Sequence, residues 1–271
     1  MIRASIVSAL ALCAAGCSSL PGLDFPTLTV RPQYHLMRLR GEIAMQSAPM
    51  NTLPASDNPA IPVNEFGQTK RDDDYGGVLA YGDGFSGLEF GYLNIDMDTT
   101  DRGTLSQDFG ELDAGTIVTS KFTLEQFQIS YVGQVYEYES DSDWMLRLGV
   151  GAKLTHRDGK ISVVEDGTDM NQIATFTDDG VPYALARARV DHGPFSVTGD
   201  YAYTATTFGG DFDGSMSDYS VYVGYQLEDQ DLRIFGGYRW IEMPVSGIEN
   251  PWKYDADLKL EGYVLGVEFG F

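Results

Sequence analysis

The sequence predicts an all-β protein whose antiparallel strands close into a transmembrane barrel of about ten strands, with eight or twelve as alternatives. Three observations predict this fold. Segments of roughly ten residues alternate apolar and polar side chains, which is the period of a strand with two unlike faces. No run reaches the ~18 consecutive apolar residues that a membrane helix needs. Long polar connections alternate with short turns, as expected when strands cross a membrane back and forth.

The closing strand, predicted at 258–271, shows the alternation clearly. Glycines, Val264 and Glu268 occupy one face. A soluble edge strand with so apolar an opposite face would be a template for aggregation, whereas a strand in lipid needs such a face. The segment resembles the closing strand of bacterial outer-membrane β-barrel proteins, whose last residue is typically Phe. The resemblance implies that the barrel-assembly machinery recognises the outward residues Tyr263, Leu265, Val267, Phe269 and Phe271.

The same alternation, interrupted by turn residues, places the other strands. They are predicted at 34–45, 75–82, 86–96, 116–138, 144–156, 181–191, 195–207, 216–227 and 232–243. Polar stretches predict long loops at 46–74, 97–114, 157–180, 209–214 and 244–256. An even number of strands puts both termini on the side of the short turns, which is the periplasmic side in such barrels.

The first residues carry a targeting signal rather than part of the fold. Residues 1–16 combine Arg3, an apolar run and small residues, which predicts a secretory signal peptide. The sequence around Cys17 resembles a bacterial lipoprotein box, which implies that Cys17 is the lipidated first residue of the mature protein. The alternative is ordinary cleavage near Ala15 or Gly16, which leaves Cys17 as a plain thiol. Residues 17–33, rich in proline, are predicted to be a periplasmic linker, and residues 34–271 the barrel.

Charge patterning predicts how the interior is filled. The net charge of −22 argues against nucleic acid as a partner, because phosphate repels it. Charged residues that alternate with apolar ones are expected to face the lumen, because charge facing lipid is costly. Long basic side chains opposite acids would plug a narrow barrel; the alternative is an arginine-lined path for anions. The predicted lumen charges are Arg38, Arg40, Glu42, Glu89, Arg147, Lys153, Arg187, Arg189, Asp200, Arg233, Arg239 and Glu268, with Asp191 as a further candidate.

The remaining acid is concentrated in the predicted outer loops. One interpretation is a solvated surface that keeps neighbouring molecules apart. The other is weak binding of divalent cations, shared with lipopolysaccharide phosphates, for which Asp211 and Asp213 are the best local candidates. Outer-membrane lipids and lipopolysaccharide are thus the expected partners, and no cofactor is expected.

Catalysis has little support in the sequence. His35 and His192 are predicted near the periplasmic end, and His156 near the outer end of its strand, beside Asp158. A base-plus-nucleophile site also needs a serine, threonine or acid within hydrogen-bond reach. We therefore expect a non-enzymatic structural or surface-binding barrel of a Gram-negative bacterium. The alternatives are a narrow porin for small solutes, including anions, and a lipid-modifying or proteolytic enzyme at the rim.

Overall fold

The computed structural model describes residues 27–47, 58–98, 101–205, 215–227, 231–249 and 252–271. These residues form twelve strands and one 3₁₀ turn, Val63–Phe66, so the predicted all-β antiparallel class is confirmed. The strands are β1 Thr27–Ser47, β2 Ile61–Pro62, β3 Asp72–Gly82, β4 Gly87–Asp98, β5 Gly103–Thr104, β6 Ile117–Glu139, β7 Trp144–Glu165, β8 Asn171–His192, β9 Phe195–Thr204, β10 Met216–Gln226, β11 Leu232–Glu249 and β12 Trp252–Gly270.

Ten of the strands form one hydrogen-bonded ring. Each pairs with its neighbour in the order β12, β11, β10, β9, β8, β7, β6, β4, β3, β1, and β1 pairs back with β12. The closing seam is long, running from Thr29 opposite Gly270 to Ser47 opposite Trp252. The two short strands lie beside the ring, with β2 paired to β1 and β5 to β6. In the described part of the chain, no helix is long and apolar enough to span a bilayer.

The ring has two halves that differ in which face is apolar. We call the half near the connections 83–86, 140–143 and 193–194 the lower half, and the opposite one the upper half. Strand β12 passes through both. In its upper part, Leu258 and Leu260 are buried inside while charged residues such as Asp257 face outward. In its lower part, Leu265 is 57 % exposed on the outside, and Glu268 lies inside.

The same inversion occurs on other strands at a corresponding level. On β4 the outward series changes from Phe90 and Tyr92 to Asp96, whereas the inward series changes from Glu89 to Ile95. Three further strands show the same change, with an outward apolar residue in the lower half and an outward charged residue in the upper half. These pairs are Phe127 and Lys121 on β6, Leu154 and Lys160 on β7, and Trp240 and Glu242 on β11. We call the outward residues of the lower half the apolar band.

An apolar core fills the upper half. Inward side chains from β1, β4, β6, β8, β11 and β12 form it, together with the 3₁₀ turn and the segment that follows β5. Phe66 of the turn and Phe109 of that segment lie with ring centroids 4.9 Å apart, both 1 % exposed. The hydrophobic effect of this core stabilises strands that continue beyond the lower half.

The strands are longer than the sequence predicted, and two predicted loops are wrong. Residues 157–180 belong mostly to the hairpin of β7 and β8, and 244–256 to the hairpin of β11 and β12. In both hairpins side chains continue to alternate, with apolar residues inside and polar ones outside. The acidic residues that predicted a loop therefore lie on the outer face of strands. The predicted linker 17–33 is also too long, because β1 begins at Thr27 and pairs with both β12 and β3 from its first residues.

The orientation predicted for β1 is wrong in its upper part. Met37 and Leu39, predicted to face lipid, are 0 % and 2 % exposed inside the ring. The alternate residues Arg38, Arg40 and Glu42 are therefore on the outer face, not in the lumen. Arg40 is half exposed and pairs across the seam with Glu261 of β12. The prediction failed because it applied the rule for a lipid-facing strand to a segment that lies above the apolar band.

Candidate functional site in the charged interior

The interior of the lower half contains a network of paired charges. At its centre, Glu89 of β4 accepts hydrogen bonds from Arg31 at 3.0 Å and from both terminal nitrogens of Arg187 at 3.0 and 2.9 Å. Arg187 also donates to both carboxylate oxygens of Asp200, at 2.7 and 3.0 Å. Two guanidinium groups thus share one buried carboxylate, an arrangement in which every partner depends on the others.

A second cluster lies on the other side of the same cavity. Asp218 of β10, with its side chain 4 % exposed, accepts two hydrogen bonds from Arg239, at 3.0 and 2.7 Å. Lys153 of β7 also donates to Asp218. Between the two clusters is a polar cavity of about 70 Å³, lined by residues of both. That volume has room for a few water molecules.

The lower end of the interior is covered by the turn between β3 and β4. Gly84 (φ 81°) and Gly87 (φ 137°) have backbone angles that favour glycine, and Asp83 Oδ1 accepts the Phe85 N–H at 2.8 Å. The turn folds inward, so Phe85 is 1 % exposed and lies 5.1 Å from the Arg147 guanidinium. The carbonyl oxygens of Gly84 and Phe85 accept hydrogen bonds from the inward residues Arg189 and Arg187.

A third group separates the charged network from the upper core. Arg157 of β7 is fully buried, and donates to Gln126 Oε1 at 2.8 Å and to the Tyr183 hydroxyl at 2.7 Å. Its backbone N–H donates to Asp178, whose side chain is also buried. Sequence reasoning missed Arg157 and Asp178 because both fell in the predicted loop 157–180. It also missed Arg31, assigned to the linker, and Asp218, although Asp218 alternates with the inward Ser220 and Tyr222.

The structure places most of the predicted lumen charges inside the ring. Besides the contacts above, Arg147 and Arg189 pair with Asp191 at 2.9 and 2.7 Å, and Arg233 lies 3.6 Å from Glu268. The nine that lie inside are Glu89, Arg147, Lys153, Arg187, Arg189, Asp200, Arg233, Arg239 and Glu268. The three that do not are those of upper β1.

The closing-strand residues predicted to be an assembly signal share the outer face of β12. Tyr263, Leu265, Phe269 and Phe271 are 48 %, 57 %, 38 % and 57 % exposed, and Val267 is partly exposed. Cys17, Asp211 and Asp213 lie outside the described residues. Within the described ranges, no group of three or more His, Cys, Asp or Glu side chains is arranged to hold a metal ion.

The histidines occupy three different environments. His156 faces outward at the upper edge of the apolar band; its Nε2 lies 3.3 Å from Asp158, and its Nδ1 contacts the carbonyl oxygen of Asp178. Both ring nitrogens therefore already face oxygen atoms. His192 stacks on Trp144 beside the lower turn, at 4.3 Å. His35 was predicted near the end of the barrel, but it is fully buried in mid-ring opposite Asp74, because β1 starts earlier than predicted.

The buried Asp74 predicts a measurable pH dependence. It lies on β3 just above the apolar band, and burial raises the pKa of its carboxyl to about 6, although Oδ1 accepts the Asp96 N–H at 2.9 Å. This pKa exceeds the value of about 4 that the carboxyl has in the unfolded chain, so between about pH 4 and pH 6 the folded protein binds more protons than the unfolded one. The free energy of unfolding therefore falls as the pH rises through about 6. Replacing Asp74 with asparagine should raise the free energy of unfolding by about 1–3 kcal/mol at pH 8, with no gain near pH 4.

Urea unfolding in detergent across this pH range checks the prediction. The exposed Asp113 provides the control, because Asp113→Asn should change little at any pH. A gain for Asp74→Asn that did not depend on pH would contradict the assignment.

Comparison with known proteins finds resemblance in structure alone. No sequence family and no curated protein matches the chain. Among solved structures, it resembles the outer membrane protease OmpT from Escherichia coli with a TM-score of 0.49 and 11 % identity, over 93 % of this chain and 100 % of that one. It resembles the toluene transporter TodX of Pseudomonas putida with a TM-score of 0.32 and 6 % identity, over 90 % of each chain. For Ail of Yersinia pestis the TM-score is 0.27 and the identity 8 %, over 89 % and 99 %. Similarities of this size transfer no activity to this chain.

Proposed function

We propose that the chain is an integral β-barrel of the outer membrane of a diderm bacterium, with a closed interior and a non-enzymatic role performed by its outward surface. The observation that carries the proposal is the inversion of both faces of the ring at one level. A soluble closed sheet would keep its polar side outward along the whole strand. Here the lower half has its apolar side outward, which is favourable where hydrocarbon replaces water.

The height of the apolar band supports the membrane assignment. On β12 it extends from Tyr263 to Phe271, which is nine residues, and a transmembrane strand needs about 9–11. The band includes large side chains that are half exposed around the ring, such as Val150 and Val223 at 54 % each. An exposed patch of this extent on a soluble monomer would be an aggregation site. In a bilayer the same residues contact acyl chains.

Aromatic residues concentrate at both edges of the apolar band, where membrane interfaces favour them. At the upper edge, Tyr219 stacks on Trp240 at 4.8 Å, and Tyr238 contacts both Trp240 and Tyr263. Tyr92 and Phe127 continue this edge on β4 and β6. The lower edge includes Trp144, Phe195, Tyr225, Phe269 and Phe271. These two levels define where the headgroups of the two leaflets would lie.

Three layers of the interior support a plug rather than a pore. The inward turn with Phe85 covers the lower end, the charged network occupies the middle, and the apolar core fills the upper half. The middle layer leaves a cavity of about 70 Å³. The alternative, a narrow anion channel, needs a continuous path through all three layers.

Planar-bilayer recording tests the plug directly. The purified full-length protein, inserted into a bilayer, is expected to give no discrete conductance steps, because each layer blocks the passage of a hydrated ion. Insertion should be verified independently by protection of the apolar band from a water-soluble label. Recurrent steps of fixed size from verified insertions would contradict the plug and favour the channel.

The remaining parts of the proposal follow from the outward surface. The upper half presents acidic side chains to the outside, such as Asp96, Asp98 and Asp255, which suits a solvated or cation-bridged surface next to lipopolysaccharide. Recognition of the closing strand by the assembly machinery and a lipid anchor at Cys17 remain predictions.

A further inference from the structure

A second interior cavity lies just above the inward turn and is strongly basic. It has a volume of about 40 Å³ and is bounded by Gly84 and Phe85 of the turn and by inward residues of β1, β8, β9, β10 and β11. Its charged lining residues are Arg31, Arg187, Arg189, Arg233 and Asp200. Four guanidinium groups therefore surround a space lined by one carboxylate.

Arg233 is the residue in this lining whose hydrogen-bonding capacity is least satisfied. It is 9 % exposed, and its Nε and Nη1 are buried without an acceptor among the described residues. Its nearest carboxylate oxygen, Glu268 Oε2, is 3.6 Å from Nη2, beyond hydrogen-bond distance. The same oxygen lies 2.6 Å from Arg31 Nε, so Glu268 is engaged mainly by Arg31. Buried charged donors without a partner are costly, which indicates that something else meets these two N–H groups.

The charge balance of the surrounding layer points to an anion. Each of the carboxylates nearest to the cavity, those of Glu89, Asp191, Asp200 and Glu268, contacts another arginine more closely than it contacts Arg233. The positive charge of Arg233 is therefore left without a close counterion among the described residues. A water molecule could accept hydrogen bonds from Arg233, but it would leave this charge unbalanced in an environment of low dielectric.

We propose that this cavity binds one small monovalent inorganic anion of the halide class, held by the Nε and Nη1 groups of Arg233 and by the positive field of Arg31 and Arg189. The volume of about 40 Å³ has room for an ion of that size. A single negative charge would supply the close counterion that Arg233 lacks. The anion would be a resident part of the closed interior, locking the turn that carries Phe85 against β11.

Anion dependence of thermal stability tests the proposal. The purified full-length protein in a non-ionic detergent is heated at constant ionic strength in sodium chloride, sodium bromide or sodium gluconate, whose anion is too large for the cavity. Ligand binding to the folded state raises Tm with concentration, and we expect the two halides to raise it by about 2–4 °C or more over gluconate. Equal Tm values in all three salts would overturn the proposal.

Two variants assign the effect to the site. Arg233→Gln should remove the halide-dependent rise in Tm, and Arg40→Gln, which changes an outward arginine, should retain it. If Arg233→Gln fails to fold, crystals of the unchanged protein grown in sodium bromide decide the matter by anomalous scattering. A bromide peak within about 3.3 Å of Arg233 Nε or Nη1 supports the site. Ordered water in the cavity, or bromide at exposed positions alone, overturns it.

Discussion

Replacing Glu89 with alanine is expected to cost the folded barrel about 3–5 kcal/mol, the usual loss when one member of a buried ionic cluster is removed. Glu89 is 7 % exposed and accepts three hydrogen bonds from Arg31 and Arg187. In the variant, Arg187 still pairs with Asp200 and Arg31 with Glu268, but two donors of Arg187 and one donor of Arg31 lose the acceptor that Glu89 supplies. Free energies of unfolding from urea titrations in detergent micelles measure the loss.

Two further variants show whether the effect comes from this cluster. Glu111→Ala changes an exposed glutamate in the upper half and should alter stability by less than about 0.5 kcal/mol. Glu89→Gln keeps the shape and one acceptor oxygen while it removes the charge. Its loss in free energy of unfolding should therefore lie between the losses for Glu89→Ala and Glu111→Ala. A loss below about 1 kcal/mol for Glu89→Ala would show that water reaches the network and that the interior is open.

Leu265→Arg is expected to destabilise the inserted protein by about 1–3 kcal/mol, between the cost of a basic side chain at the middle of a bilayer and its cost near the interfaces. Leu265 is 57 % exposed and lies within the apolar band on β12, two residues from Tyr263 at the upper edge. The side chain lies on the outer face, so the substitution leaves the interior of the ring unchanged. The effect therefore measures the medium outside the ring, and it should be obtained in lipid vesicles rather than in a small micelle.

Ile248 offers a matched comparison. It is outward on the neighbouring strand β11 and 71 % exposed, but it lies in the upper half, where adjacent outward residues are polar. Ile248→Arg makes nearly the same chemical change and should cost less than about 0.5 kcal/mol. Equal costs at the two positions would mean that both face the same solvent, and the membrane assignment would then fail.

The interior network could be predicted in part, and its gaps have identifiable reasons. Arg187, Arg239 and Glu89 alternate with outward apolar residues of the apolar band, so one rule assigned them to the inside. Arg157 and Asp178 needed knowledge that β7 and β8 continue past that band, which the acidic composition of the hairpin concealed. The partners were beyond prediction, because Glu89 meets Arg187 across 98 residues of sequence.

The sequence by itself determined that the chain forms alternating strands, that the closing strand has an apolar outer face along 263–271, and that charge of both signs faces inward beside it. Local period and composition suffice for these because each depends on residues two apart. Only the tertiary structure decided that Arg38 and Arg40 lie on the outer face of β1. A period of two is the same whether lipid or a protein core covers the apolar side of a strand. Which side faces outward depends on closure of the ring and on whether the residues lie within the apolar band or above it.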